Sequence, residues 1–125
     1  MNVALWIAAG LLAAALLVAG LGKLFTPKAK LSANPRMAWT GDFAPGTIKL
    51  IGVLEVLAAV GLILPGLTGI APVLVPLAAV GVVLIMLGAI ITHARRKETA
   101  QLVGPVVLLA LAVFVAWGRF GPYAF

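Results

Sequence analysis

A single carboxylate, Glu55, lies near the middle of an apolar, helix-length segment that covers residues 49–65. The chain has 3 acidic residues, and the other two, Asp42 and Glu98, stand among polar or turn residues. A carboxylate inside a membrane-spanning helix is costly, and it usually faces the interior of a helix bundle, where it serves a site or a packing contact. Two interpretations of Glu55 stay open: it takes part in binding a ligand, or it is a staple that fixes the register of the helices.

Two cationic side chains are candidate partners for Glu55. Lys23 lies at the end of the first apolar segment, and His93 lies at the end of the third. Lys49 is about 120° away from Glu55 around the same helix, so we expect it to extend to the lipid headgroups. Trp39, in a connection between helices, is expected to close the cytoplasmic mouth of a site formed by Lys23, Glu55 and His93, because its ring suits the membrane interface.

The composition limits what chemistry the chain could perform alone. It has no cysteine and one histidine, which excludes a zinc–thiolate site, a cysteine nucleophile and a multi-histidine metal site. It contains no phosphate-binding loop, dinucleotide fingerprint or pair of carboxylates at hydrolytic spacing. We therefore expect no metal, no cofactor and no catalytic residue in this chain. Whether it is part of an enzyme stays open.

The elements that must position these residues are four apolar segments. The chain is 64% hydrophobic and 10% charged, whereas soluble domains are about 45–50% apolar and about 25% charged. Segments of about 20 apolar residues can cross the bilayer. The sequence predicts an all-α membrane protein, an antiparallel four-helix transmembrane bundle in one domain, 1–125. The predicted spans are 3–25, 47–64, 70–92 and 100–119.

Prolines refine these predicted spans. We expect Pro65-Gly66 to end the second span, and Pro76 to bend the third, because proline lacks the amide hydrogen. In the first connection, Asn34 is a candidate N-cap and Pro35 a candidate first residue of a short interfacial helix.

The positive charges predict the orientation of the chain. The net charge is +6, and nearly all Lys and Arg residues flank or fill the connections 26–46 and 93–99. The positive-inside rule places these connections in the cytoplasm and both termini outside. The same residues favour membrane lipids with anionic headgroups as partners. Nucleic acid is a poor interpretation, because the basic residues flank spans and do not line one reading surface.

Small residues predict where the helices approach each other, because helix contacts in membranes favour them. The residues predicted to serve this purpose are Gly20, Gly52, Ala59, Gly81 and Gly88. The third and fourth spans have further faces of small residues that the bundle itself does not need. Formation of a homo-oligomer through these faces therefore stays open.

The sequence resembles the DoxX-like family of small four-helix membrane proteins. The resemblance is carried by Gly20-Leu21-Gly22-Lys23-Leu24, by residues 51–65 with their Gly-x-x-Glu, by 77–81 and by 88–96. It implies a multi-pass protein of the bacterial plasma (inner) membrane, and a pairing of Lys23 with Glu55. Some relatives look like subunits of thiosulfate:quinone oxidoreductases, and some distant animal relatives act as receptor-assembly chaperones.

Three functions follow as hypotheses. The first is a polar site around Glu55 for a lipophilic or quinone-like small molecule, either alone or as the membrane subunit of a redox complex whose partner carries the redox group. The second is a structural or assembly protein in which Glu55 only staples the bundle. The third is a proton or small-ion pathway. One Glu and one His provide few side chains to carry protons, and the sequence has no internal repeat of the transporter type.

Overall fold

The computed structural model describes residues 1–33 and 35–125 of the chain. Its helices are α1 (Asn2–Phe25), α2 (Lys28–Ala33), α3 (Pro45–Thr68), α4 (Leu74–Arg95) and α5 (Val103–Phe120). Two 3-10 segments, Pro35–Asp42 and Thr99–Leu102, precede α3 and α5.

Four of these elements form the body of the protein. Helices α1, α3 and α4, and the segment Thr99–Phe120 that contains α5, are long and apolar enough to cross a membrane. Each packs against the next along the chain, and α5 packs against α1, which closes the bundle. A continuous helix satisfies its own backbone hydrogen bonds, as hydrocarbon requires. This confirms the predicted all-α, four-helix membrane fold.

The interior is filled by side chains from all four long helices. Leu12 and Leu16 of α1, Leu62 of α3, Val82 of α4 and Val115 of α5 are fully buried. The outward faces are also apolar, with many exposed Leu, Val and Ile side chains. An apolar exterior of this extent is stable in lipid rather than in water.

The bundle has two different ends. The connection end carries α2, the segment Pro35–Asp42 and the turn between α4 and α5. The termini end holds both chain termini, and there the ring of Trp6 lies 5.5 Å from that of Phe125.

The structure corrects the predicted end of the second span. Pro65 lies inside α3, which continues to Thr68. The helix ends at Gly69, whose φ of 71° places it in the left-handed region. Glycine adopts this conformation without steric cost, and its N–H donates to the carbonyl of Pro65 at 3.0 Å. The helix stop is therefore set by a glycine cap four residues later than predicted.

The structure also changes the role expected of Pro76. Helix α4 begins at Leu74, later than predicted, so Pro76 is its third residue. The first four amide groups of a helix have no intrahelical acceptor, so a proline there removes no hydrogen bond. The bend expected at Pro76 is therefore not required.

The first connection contains more structure than the sequence indicated. The helix α2 was not predicted, and the short helix expected after Asn34 is a 3-10 segment that begins at Pro35. Asn34, the predicted N-cap, lies outside the described residues.

Candidate functional site

Lys23 and Glu55 form a buried ion pair at the connection end. The Nζ atom of Lys23 lies 2.7 Å from Oε1 of Glu55. Only 7% of Lys23 and 3% of Glu55 is exposed. Of the two candidate partners, the structure therefore places Lys23 against Glu55. A buried carboxylate and ammonium compensate each other only at such a distance.

A close crossing of two helices positions this pair. Gly20 on α1 and Gly52 on α3 face each other: a Cβ added to Gly20 would lie 2.8 Å from the carbonyl oxygen of Gly52, and one added to Gly52 would lie 2.9 Å from that of Gly20. Lys23 and Glu55 each follow their glycine by three residues, which puts them on the same helix face. The absence of side chains at the crossing therefore brings the two charged groups within contact distance.

His93 has a different partner from the one expected. It is buried at the end of α4, and its Nδ1 lies 3.1 Å from Oε1 of Glu98. The Nε of Arg96 donates to the same Oε1 at 3.0 Å. The contact of Glu98 with His93 was not predicted from the sequence, in which Glu98 stands in a polar turn. The feature of the sequence that could have indicated this contact is the spacing of five residues between His93 and Glu98, which lets the turn fold back over the end of α4.

Trp39 lies between Lys23 and His93. Its ring centroid is 5.8 Å from the Nζ of Lys23, a cation–π distance, and 6.4 Å from the centroid of the His93 ring, in an edge-to-face arrangement. The 3-10 segment that carries Trp39 is tightened by Thr40, which is fully buried and donates to the carbonyl of Met37 at 2.7 Å. Trp39 is thus held over the polar residues at the connection end.

These four residues line one cavity. It has a volume of about 870 Å³ and is formed by parts of α1, α3, α4, α5 and the segment with Trp39. Apart from Lys23, Glu55 and His93, most of its lining is aliphatic or aromatic. Small-molecule sites are typically about 300–1,000 Å³, mostly apolar, with a few polar groups. The arrangement can therefore accommodate a small molecule that combines apolar surface with polar atoms.

The predicted packing residues divide into two groups. Gly20, Gly52 and Ala59 are buried between helices. Gly81 and Gly88 are not at a close helix contact in the described chain: a Cβ added to either would have no heavy atom within 4 Å. Gly88 instead lines the cavity, and Gly81 lines a neighbouring groove.

A second polar cluster, which the sequence analysis missed, lies at the termini end. Arg119 is 5% exposed, and its Nη1 donates to Oδ1 of Asn2 at 2.6 Å and to the carbonyl of Tyr123 at 2.9 Å. The guanidinium lies 4.0 Å from the ring centroid of Phe125 and 5.6 Å from that of Trp6. The feature of the sequence that could have indicated this cluster is Arg119 itself, a single cation in the last turn of the final helix with aromatic residues around it. The cluster ties the two termini together.

Within the described ranges 1–33 and 35–125, no three His, Cys, Asp or Glu side chains come together as a metal-binding group. The protein is a bundle of four helices long and apolar enough to span a membrane, with a buried ion pair at the edge of a cavity.

Four such helices in a chain of this size define a multi-pass integral membrane protein. The family model described as the DoxX-like family matches residues 7–115. The chain belongs to the DoxX-like family. No curated protein and no solved structure matches the sequence.

Proposed function

We propose that this protein binds an uncharged lipophilic, quinone-like molecule in the cavity at the connection end. The observation that carries the proposal is the placement of the Lys23–Glu55 pair in the wall of a cavity that is otherwise mainly apolar. A pair that served packing alone would not need open space beside it, because interiors are normally close-packed.

The charges around the cavity favour an uncharged ligand. The charge of Lys23 is matched by Glu55, and Glu98 faces both His93 and Arg96. A ligand with a net charge would have to break such a pair and leave a buried charge uncompensated, which is strongly unfavourable. Carbonyl or hydroxyl oxygens on a planar ring could instead accept from Lys23 or His93, while the ring packs beside Trp39.

A redox role would make the chain the membrane subunit of a complex. Lys23, Glu55 and His93 would hold and orient the ligand, and a partner subunit would supply the redox group. We place the protein in the bacterial plasma membrane, with the connection end facing the cytoplasm, because the basic connections lie at that end.

Fluorescence quenching tests the binding proposal. A tailless benzoquinone is titrated into the protein in nanodiscs, and the quenching of Trp39 is followed, with Trp39→Phe to identify its contribution. Lys23→Met should weaken binding about tenfold to a hundredfold, because it removes a charged donor from which a quinone oxygen would accept. Unchanged affinity in a folded Lys23→Met protein would refute the proposal.

A structural role is the second candidate, and the helix crossing supports it. The Gly20–Gly52 contact and the Lys23–Glu55 pair join the same two helices, as a staple would. If Glu55 only staples the bundle, Glu55→Gln should lower the melting temperature, and the protein should bind no quinone in either form. The same titration, with a thermal melt beside it, separates the two functions.

A further inference from the structure

Gly81 and Gly88 face open space, which helix packing within the chain does not explain. Both lie inside α4, where a glycine costs about 0.5–1 kcal/mol relative to alanine. Some glycines in the long helices, such as Gly20 and Gly52, make contacts that a side chain would obstruct, whereas Gly10 and Gly22 of α1 face open space as Gly81 and Gly88 do. At Gly81 and Gly88 the missing side chain leaves a void.

The void at Gly81 belongs to an apolar groove between α3 and α4. The groove has a volume of about 570 Å³, and its ten lining residues are all Leu, Ile, Ala or Gly. Three of them, Leu54, Leu84 and Ile85, also line the cavity that contains Glu55. The polar cavity and the apolar groove are therefore neighbours that share one wall.

The groove has the direction and the exposure of a site for a hydrocarbon chain. It follows α4 from Ile85 back to Leu74, about 16 Å at 1.5 Å per residue, toward the termini end. Its rim is exposed, with 44% of Leu54, 61% of Leu57 and 65% of Leu84 accessible. In a bilayer these side chains face acyl chains, so the groove is open to the lipid along its length.

We propose that the ligand is an amphiphile with one hydrocarbon tail, whose uncharged head occupies the cavity beside Lys23 and Glu55 and whose tail lies in the groove between α3 and α4. This rests on the proposed function and adds to it the class of ligand and its route. The head enters sideways from the bilayer through the shared wall, and the tail remains among apolar side chains. A water-soluble molecule without a tail would fill the cavity but leave the groove between α3 and α4 empty.

Gly81→Leu tests the tail without altering the head cavity. Nothing lies within 4 Å of a Cβ at Gly81, so a leucine there can leave the backbone without a clash and is expected to extend into the groove. Gly10→Leu on α1 is the matched control, because its Cβ position is equally open and it lines neither the cavity nor the groove. The probes are a dimethoxy-methyl benzoquinone without a tail and the same ring with a decyl tail. Both are titrated in nanodiscs of one lipid composition, so that partitioning into lipid is equal for the two variants.

The inference predicts that Gly81→Leu weakens binding of the decyl quinone about tenfold relative to Gly10→Leu, a difference of ~1.4 kcal/mol. Binding of the tailless quinone should stay within about twofold in both variants. If both quinones bind but Gly81→Leu affects neither, the tail site is wrong and the head site stands. If neither quinone binds to the unmodified protein, both proposals fail. If Gly81→Leu instead dissociates a dimer and leaves quinone binding unchanged, the groove is covered by a second copy of the chain, and the tail proposal is overturned.

Discussion

The Nζ of Lys23 and Oε1 of Glu55 approach to 2.7 Å across the crossing of α1 and α3, where Gly20 meets Gly52. Two Gly-x-x segments on antiparallel helices thus produce both a close backbone approach and the buried ion pair. The crossing explains how a lysine near a helix end reaches a carboxylate deep in the next helix. It also predicts that the pair depends on the glycines.

Removing both partners of the pair should cost less than the sum of the losses from removing each one alone. Lys23→Met leaves Glu55 buried without its cation, and we expect a loss of about 3 kcal/mol in unfolding free energy. In Lys23→Met with Glu55→Gln, no charge remains to compensate, so the loss should fall short of the sum of the single losses by about 1–3 kcal/mol. Denaturation in detergent measures each variant. Lys49→Met is the control, because Lys49 is exposed on α3, and strict additivity of the two losses would contradict the pair.

Gly20→Ala should separate α1 from α3. The added methyl group would lie 2.8 Å from the carbonyl oxygen of Gly52 and from Cγ2 of Val56, so one helix must move. We expect a loss of about 1–3 kcal/mol, as in overpacked cores. The comparison is Gly22→Ala, two residues further along α1, where an added Cβ has no neighbour within 4 Å. That variant should be neutral or slightly stabilised in a thermal melt, and equal losses in the two proteins would count against the crossing.

Arg119→Met should loosen the termini end. The substitution removes hydrogen bonds to Asn2 and to the carbonyl of Tyr123, and the stacking on Phe125. We expect a loss of about 1–3 kcal/mol, together with faster hydrogen exchange in the first turn of α1. Arg95→Met removes an exposed arginine and should leave both measurements unchanged. Normal exchange at the termini end of Arg119→Met would show that the cluster does not hold the termini.

The orientation in the membrane can be tested by labelling single cysteines. The chain contains no cysteine, so each introduced thiol is unique. We predict that Ala124→Cys reacts with a membrane-impermeant maleimide on intact cells, and that Lys97→Cys reacts only after lysis. The opposite pattern would invert the topology and place the connection end outside.

The sequence predicted the four spans, and it named Lys23 and His93 as the two candidate partners of Glu55, because both predictions depend on local patterns. Apolar length sets a span, and small residues three positions away put a charge on a packing face. The partner of His93 was not predictable in this way. It depends on how the chain turns after α4, where Lys97 adopts a φ of 57° and Glu98 folds back to the histidine.

The glycines of α4 show a second limit. A glycine at a helix contact and a glycine beside a void have the same local pattern, so Gly81 and Gly88 were predicted to pack. Only the positions of neighbouring helices distinguish the two cases. The helix end predicted at Pro65 and the bend predicted at Pro76 were wrong for a related reason, because a proline is tolerated inside α3 and in the first turn of α4. The actual end of α3 is the left-handed Gly69.

We propose that the cavity beside the Lys23–Glu55 pair holds a lipophilic molecule. The most direct measurement is a density map of the purified protein in nanodiscs with the decyl benzoquinone added. The account predicts planar density between Lys23, Glu55 and His93, beside Trp39. An empty cavity, or a quinone bound only elsewhere on the bundle, would contradict it.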